Sequence, residues 1–328
     1  MTPEAAPSLD ALYRDIAPDL ATVDAEIAAA LAVDRPELKA MMAHAAAYAG
    51  KKLRPGLVLL IGKAMGGDPR LRRLGACVEL IHLATLVHDD VIDGAERRRK
   101  IETVNARWTN YDAVLLGDVI FSRAINLLGR LGDARSIDVL TRAASTLCEG
   151  EILQNAHRHD ADLEENLYYR IISDKTAVLY GAACELAAHL SRAPEPVVQG
   201  LKVYGVELGL AFQIIDDCLD LVGDESEVGK SLGTDLRNGK VTLPILLLFR
   251  RVDAAERKRL AAAVIGGAEE SERRRLLEAL RAHGSVEEAL ERAARHVRDG
   301  LAAARAVAPA GAMTALETVA AFVVARRK

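Results

Sequence analysis

The stretch LRRLGACVELIHLATLVHDDVID, residues 71–93, decides the fold. Apolar side chains at Leu71, Leu74, Val78 and Ile81 recur at three and four, the period of one helix face, and predict a helix over Leu71–His88. The same spacing runs through Ala113–Leu131, Ile137–Gln154, Tyr169–Ser191 and Gly200–Val222. Turn residues gather between these segments, at MGGDPR (65–70), HRHDADLEEN (157–166), SRAPEP (191–196) and VGDESEVGKSLGTDLRNGK (222–240), and no proline stands between Pro69 and Pro194. Consecutive long helices without alternating strand runs predict an all-α chain, with a weaker helical tail after residue 250. None of the breaks is long or biased enough to be an interdomain linker, so residues 1–328 are expected to form a single domain.

Half of the 328 residues are apolar, 4% are aromatic, and the formal charge is -4. That balance argues against general nucleic-acid binding, which needs a basic excess on one face. Cys77, Cys148, Cys184 and Cys218 lie far apart without a CxxC pair, and read as reduced core thiols of a cytosolic protein. The N-terminal residues carry early acids and lack the basic segment and apolar block of a signal peptide. Runs such as LVLLIG (57–62) and VTLPILLLF (241–249) fall well short of the roughly 20 apolar residues that span a bilayer. A cytoplasmic protein with no transmembrane segment is expected, touching a membrane surface only transiently. GDESEVGKS (223–231) imitates a phosphate-binding loop, but five residues separate its glycines where that motif has four, and no strand precedes it.

The quoted stretch ends in an acidic cluster that returns later, LVHDDVID (86–93) as FQIIDDCLD (212–220). Helical residues four apart lie only about 40° around the axis from each other, so Asp89 and Asp93 share a face, as do Asp216 and Asp220. Their flanks are apolar (Leu86, Val87, Val91, Ile92; Ile214, Ile215, Leu219, Leu221), which turns the acids towards an interior cleft. Several carboxylates stay ionised there only with compensation, and Mg²⁺ sharing oxygen ligands with phosphate provides it. A single DDxxD is more often a solvated face or a helix end. Two copies on apolar helices, alternating with cations, are what that bland reading leaves unexplained. The cations are Lys51, Lys52 and Arg54 in GKKLRP (50–55), His82, Arg98 and Arg99, Lys175 before Thr176, and Lys230 and Lys240. Arginine offers fork-like bonds to phosphate oxygens and lysine a point charge.

With GKKLRP, ATLVHDDVID (84–93), LLGDVIFSRA (115–124), EGEILQ (149–154), SDKTAVLYGAACELAA (173–188), YGVELGLAFQIIDDCLD (204–220) and GKSLGTDLRNGKVTLP (229–244) side by side, the sequence resembles the trans-isoprenyl diphosphate synthase (polyprenyl synthetase) family, long-chain type. The likeness covers about Gly50 to Pro244. It implies the isoprenoid synthase fold, a single helical bundle around a central substrate cavity, and a homodimer. It also implies a Mg²⁺-dependent prenyltransferase that condenses isopentenyl diphosphate head-to-tail with geranyl, farnesyl or geranylgeranyl diphosphate. Carried over by residue, Lys51, Arg54, His82 and Arg99 would hold isopentenyl diphosphate. Asp89, Asp93 and Asp216, with Asp90, Asp217 and Asp220 directly or through water, would bind the allylic diphosphate through about three Mg²⁺ per active site. Arg98, Lys175, Lys230 and Lys240 would touch that diphosphate, with Thr176 and Gln213 nearby. The six acids together with Arg98 and Lys175 form the catalytic set that the resemblance implies. One departure stands out: the family continues its arginine pair as Gly-x-Pro-Thr, and this chain has Lys100-Ile101-Glu102-Thr103.

The family reaction ionises the allylic C–O bond, lets the isopentenyl double bond attack the cation, and loses a proton. In the family a large aromatic close before the first motif stops growth. Here the positions are Ala84 and Thr85, about 6–7 Å along the helix from Asp89 at 1.5 Å per residue, with Ile81 as a further candidate floor. Small residues there imply a long all-trans product, in the octaprenyl range. The alternatives are a short-chain farnesyl or geranylgeranyl diphosphate synthase, a class I terpene cyclase, a non-catalytic subunit of a heteromeric synthase, and a helical scaffold with acidic patches.

Overall fold

Proline at 69 and glycine at 94 bracket one uninterrupted helix, Arg70–Ile92, formed by the stretch quoted above. It belongs to a computed structural model that describes residues 11, 13–48, 50–98, 101–222, 233–265 and 270–326. After a 3₁₀ turn at Arg14–Ile16 come α1 (Ala17–Leu31), α2 (Pro36–Ala46), α3 (Leu53–Ala64) and α4 (Arg70–Ile92). A hairpin of two-residue strands, β1 (Arg97–Arg98) and β2 (Ile101–Glu102), precedes α5 (Val104–Arg107), α6 (Asn110–Gly129) and α7 (Ala134–Ala156). Then follow α8 (Glu165–Ile172), a π turn (Ser173–Ala177), α9 (Val178–Leu190), α10 (Glu195–Val222), α11 (Thr234–Arg237) and α12 (Leu243–Phe249). The tail forms α13 (Ala254–Ile265), α14 (Glu270–Ala282), α15 (Ser285–Arg305) and α16 (Ala310–Val324). The all-α expectation holds, and no helix among the described residues is long and apolar enough to cross a membrane.

Packing divides the chain into two compact units. The first comprises Met1–Ala144, Leu179–Gly205 and Leu301–Phe322, and the second Ser145–Val178, Val206–Gly300 and Val323–Lys328. In the first unit α4 packs on α1, α3 and α6 and buries Leu74, Val78, Leu80 and Ile81 completely. Each such side chain contributes roughly 1.5–3 kcal/mol relative to exposure. Gly75 permits the close approach, since a Cβ there would stand 3.3 Å from Val23 Cγ2 and 3.5 Å from Pro55 Cβ. In the second unit Tyr168, Ile171 and Ile172 of α8, Ile214, Ile215, Cys218 and Leu221 of α10, and all of α12 lie in the core.

Two local expectations need correction. The segment Tyr169–Ser191 is not one α-helix: a π turn at Ser173–Ala177 separates α8 from α9. Its wider hydrogen-bonded loop accommodates an extra residue, which periodicity over so short a span does not reveal. Cys148 is exposed, whereas Cys77, Cys184 and Cys218 are buried, and none of the four is in a disulfide. Cys148 lies on the exposed face of α7, together with Ser145, Glu149 and Ile152.

Candidate active site

The first aspartate motif occupies the last turn of α4. Asp93 is the C-cap, Gly94 follows at φ 60°, and the N–H groups of Gly94 and Ala95 donate to the carbonyls of Val91 at 3.2 Å and Asp90 at 2.9 Å. This crossed pair is the Schellman ending, and it places three acids where the helix dipole is already negative. Such a cluster needs cations close by. Arg98 provides one, its Nε 2.9 Å and Nη2 2.8 Å from Oδ1 of Asp90, a side chain only 1% exposed. The hairpin delivers that arginine: Arg98 pairs with Ile101, and buried Thr103 ends the strand by donating to Ala95 O at 2.6 Å and capping α5. Asp90 Oδ2 is buried without a hydrogen bond, and Asp89 and Asp93 are half-buried. Arg99 and Lys100 lie outside the described residues.

Elsewhere in the same unit, α3 opens at Lys52, held left-handed at φ 50° and paired with Asp24. Tyr13 fixes this entry by donating its hydroxyl to the carbonyls of Lys51 and Lys52, both at 3.0 Å. Lys51 is exposed, its ammonium 5.4 Å from the Phe322 ring centre, and Arg54 stacks 4.3 Å over Tyr180. Arg54 Nε is buried without a hydrogen-bond partner, a donor left for an incoming acceptor. His82 is half-buried, and its carbonyl accepts from Thr85 Oγ1 at 2.8 Å. Ile81 and Ala84 are buried, and Thr85 is half-buried.

The second motif occupies the last two turns of α10 in the second unit. Asp217 is 4% exposed; Oδ2 accepts from the Tyr168 hydroxyl at 2.7 Å and Oδ1 from Gln213 Nε2 at 2.8 Å. Burial, reinforced by the charge of Asp235, pushes its pKa up to about 8 against the pull of those two hydrogen bonds. Gln213 Oε1 in turn accepts from Thr176 Oγ1 at 2.8 Å, tying the motif to the π turn. Lys175, next along that turn, lies with Nζ 2.5 Å from Glu151 Oε2 and donates to Gln154 Oε1 at 2.8 Å. Asp216 meets Arg326, and Asp220 accepts from the N–H groups of Thr234 at 3.3 Å and Asp235 at 3.0 Å. Lys240 is buried, 3.5 Å from Asp235. Lys230 lies outside the described residues.

Within the second unit, then, hydrogen bonds join Thr176, Gln213 and Asp217, while Lys175 turns to Glu151 and Gln154, and within the first unit Arg98 joins Asp90. Sequence reasoning passed over Glu151, Tyr168 and Arg326. Glu151 stands in the EGEILQ block, but nothing in one sequence separates a buried acid from a solvated one. No three His, Cys, Asp or Glu side chains among the described residues close round a common point as a metal cluster. The donors that each motif offers are nevertheless all oxygen, sit at negative helix ends and include the orphaned Oδ2 of Asp90, a set suited to a hard divalent cation.

A family model described as Polyprenyl synthetase matches residues 35–282. Heptaprenyl diphosphate synthase component 2 of Geobacillus stearothermophilus is 39% identical over 259 residues, covering 79% of this chain and 80% of that protein. Octaprenyl diphosphate synthase of Escherichia coli (strain K12) is 34% identical over 297 residues, 90% of this chain and 92% of the other. Among solved structures, polyprenyl synthase from Caulobacter crescentus CB15, complexed with calcium and isoprenyl diphosphate, matches with a TM-score of 0.94 and 35% identity over 99% of this chain and 100% of that one. These likenesses extend over both aspartate motifs, and the chain belongs to the polyprenyl synthetase family.

Proposed function

We propose that the protein is a Mg²⁺-dependent trans-polyprenyl diphosphate synthase that adds isopentenyl diphosphate repeatedly to an allylic starter. The observation that carries this reading is the pair of DDxxD motifs, each at the C-terminal end of a long helix, in a chain matched to family members over nearly its whole length. Asp89, Asp93 and Asp216, backed by Asp90, Asp217 and Asp220, would hold about three Mg²⁺. When bound, the metal supplies positive charge that stabilises diphosphate as a leaving group.

The chain's own residues do the rest. Arg98, Lys175, Lys230 and Lys240 bind phosphate oxygens of the allylic substrate, with Thr176 and Gln213 beside them. Lys51, Arg54, His82 and Arg99 bind the diphosphate of isopentenyl diphosphate. Ionisation breaks the allylic C–O bond, and its electron pair leaves with the diphosphate. The isopentenyl double bond then forms the new C–C bond, and a proton passes from the elongated cation to the released pyrophosphate. Apolar helix faces exclude water from the cation.

The product is long, in the octaprenyl range. Support comes from the absence of an aromatic at Ile81, Ala84 and Thr85, and from relatives named as heptaprenyl and octaprenyl synthases. The protein works as a cytoplasmic homodimer, touching membrane only to release product. Exposed Tyr111, Val114 and Leu115, gathered at the start of α6, offer an apolar face for a second copy. The whole chain is one domain, a reading supported by the way each packing unit draws on three separated stretches.

The test is incubation with Mg²⁺, labelled isopentenyl diphosphate and geranyl, farnesyl or geranylgeranyl diphosphate, with products resolved by length. A ladder beyond C20 supports the proposal, and termination at C15 or C20 makes the protein a short-chain synthase. A relative named as one component of its enzyme favours a second reading, a subunit of a heteromeric synthase. Absence of elongation by the isolated chain, with or without a starter change, would select that reading or a cyclase.

A further inference from the structure

Behind the second aspartate motif lies a buried tyrosine to which the reaction above gives no role. Tyr168, on α8, is 3% exposed, and its hydroxyl donates to Asp217 Oδ2 at 2.7 Å. The other oxygen of that carboxylate accepts from Gln213, so both are engaged and Asp217 cannot rotate freely. Gln213 belongs to α10 itself, whereas Tyr168 reaches in from another element. Other elements also hold this helix end, Arg326 at Asp216, the N–H groups of Thr234 and Asp235 at Asp220, and Thr176 at Gln213, and the Tyr168 bond is the one from outside α10 that falls on the buried central acid itself. Successive helical residues are about 100° apart, so pinning Asp217 inward sets the rotation of the helix end. The directions in which Asp216 and Asp220 project depend on that rotation together with their own contacts to Arg326 and to the N–H groups of Thr234 and Asp235. The first motif has a comparable neighbour: Tyr48, 1% exposed, accepts from Val104 N–H at 2.8 Å with Asp90 as the acid facing its hydroxyl.

We propose that Tyr168 is a positioning residue for metal and diphosphate binding: its hydroxyl fixes Asp217 and thereby orients the flanking acids of the second motif. The proposal rests on the synthase reading given above. It differs from a packing role in one respect, namely that the hydroxyl rather than the ring matters to the ion.

Tyr168→Phe keeps the ring and deletes the hydroxyl. Tyr204→Phe is the matched control, because Tyr204 is equally buried and its hydroxyl donates to Leu316 O at 2.8 Å, in the other unit. Binding of Mn²⁺ in the presence of inorganic pyrophosphate is followed by electron paramagnetic resonance, alongside the Mg²⁺ dependence of elongation and a thermal melt. Loss of an orienting partner is expected to weaken Mn²⁺ binding about 10-fold or more and to raise the Mg²⁺ midpoint in parallel. The KM for isopentenyl diphosphate stays near wild type, and Tyr204→Phe changes neither metal readout. The proposal is overturned by wild-type Mn²⁺ binding in Tyr168→Phe, by an equal loss in Tyr204→Phe, or by a Tyr168→Phe chain that does not fold, which would assign the hydroxyl to stability. A wild-type protein that neither elongates nor binds Mn²⁺ with pyrophosphate would instead overturn the synthase reading, and this proposal with it.

Discussion

Arg326 Nη2 lies 2.8 Å from Oδ1 of Asp216, and the guanidinium stacks 4.0 Å over the ring of Phe212. A cation thus already sits on the first acid of the second motif, and Mg²⁺ bound there, as proposed above, would compete with it. Arg326→Gln is expected to lower the Mg²⁺ concentration for half-maximal elongation severalfold, at a cost in metal-free stability of about 1 kcal/mol or less because Asp216 is 38% exposed. A Mg²⁺ titration checks this; a midpoint that rises would place Arg326 on the diphosphate.

Lys175 and Glu151 behave differently, since both are shielded, with side chains 17% and 10% exposed. Glu151→Ala leaves a partly buried ammonium without its counter-charge. The expected loss is about 3 kcal/mol, read as a lower urea midpoint, together with a raised KM for the allylic substrate. Unchanged urea and kinetic parameters would show that Lys175 finds another partner at no cost.

Product length tests the helix positions before the first motif. Ala84 is 1% exposed and packed, so Ala84→Phe should shorten the product and also lower stability by about 1–3 kcal/mol through overpacking. Thr85 is half-buried and has more room, so Thr85→Phe should shorten the product with the smaller penalty. Chromatography of dephosphorylated products with a parallel melt separates the two effects. Full-length products from both variants would move the floor elsewhere.

Asp217 ties stability to pH. Burial first, then the field of Asp235, raises its pKa from 3.8 to about 8, so the folded chain prefers the neutral acid. A raised folded-state pKa contributes stability that is complete below the unfolded value of 3.8 and is lost as pH climbs through about 8. Without metal, the wild-type Tm should fall across that window relative to Asp217→Asn, whose side chain does not titrate. Parallel Tm profiles for the two proteins would contradict this assignment.

Much of the architecture was legible because burial imposes a period: α4, α6, α7 and α10 appear within a few residues of where apolar spacing placed them. The aspartate pairs were legible because acids among apolar neighbours are costly and so conspicuous. What escaped depends on contacts between residues distant in sequence. Tyr168 and Asp217 are 49 positions apart, and no local pattern marks a tyrosine whose hydroxyl points at an acid. The Schellman ending at Gly94 was within reach of the sequence, since glycine after a helical run signals a left-handed stop. The π turn was not, for Ser-Asp-Lys-Thr-Ala has no breaker.

That turn carries its own consequence. A π turn is a helix holding one residue too many, and removing one position from Ser173–Ala177 would restore ordinary α geometry there. The repair would also swing Tyr168 by about 100° relative to Thr176. Lys175, Thr176 and Tyr168 could no longer meet Glu151, Gln213 and Asp217 together. On the roles proposed for these side chains, a chain shortened by that single residue would have a more regular helix there and be a poorer catalyst, because the surplus residue is what brings them into phase.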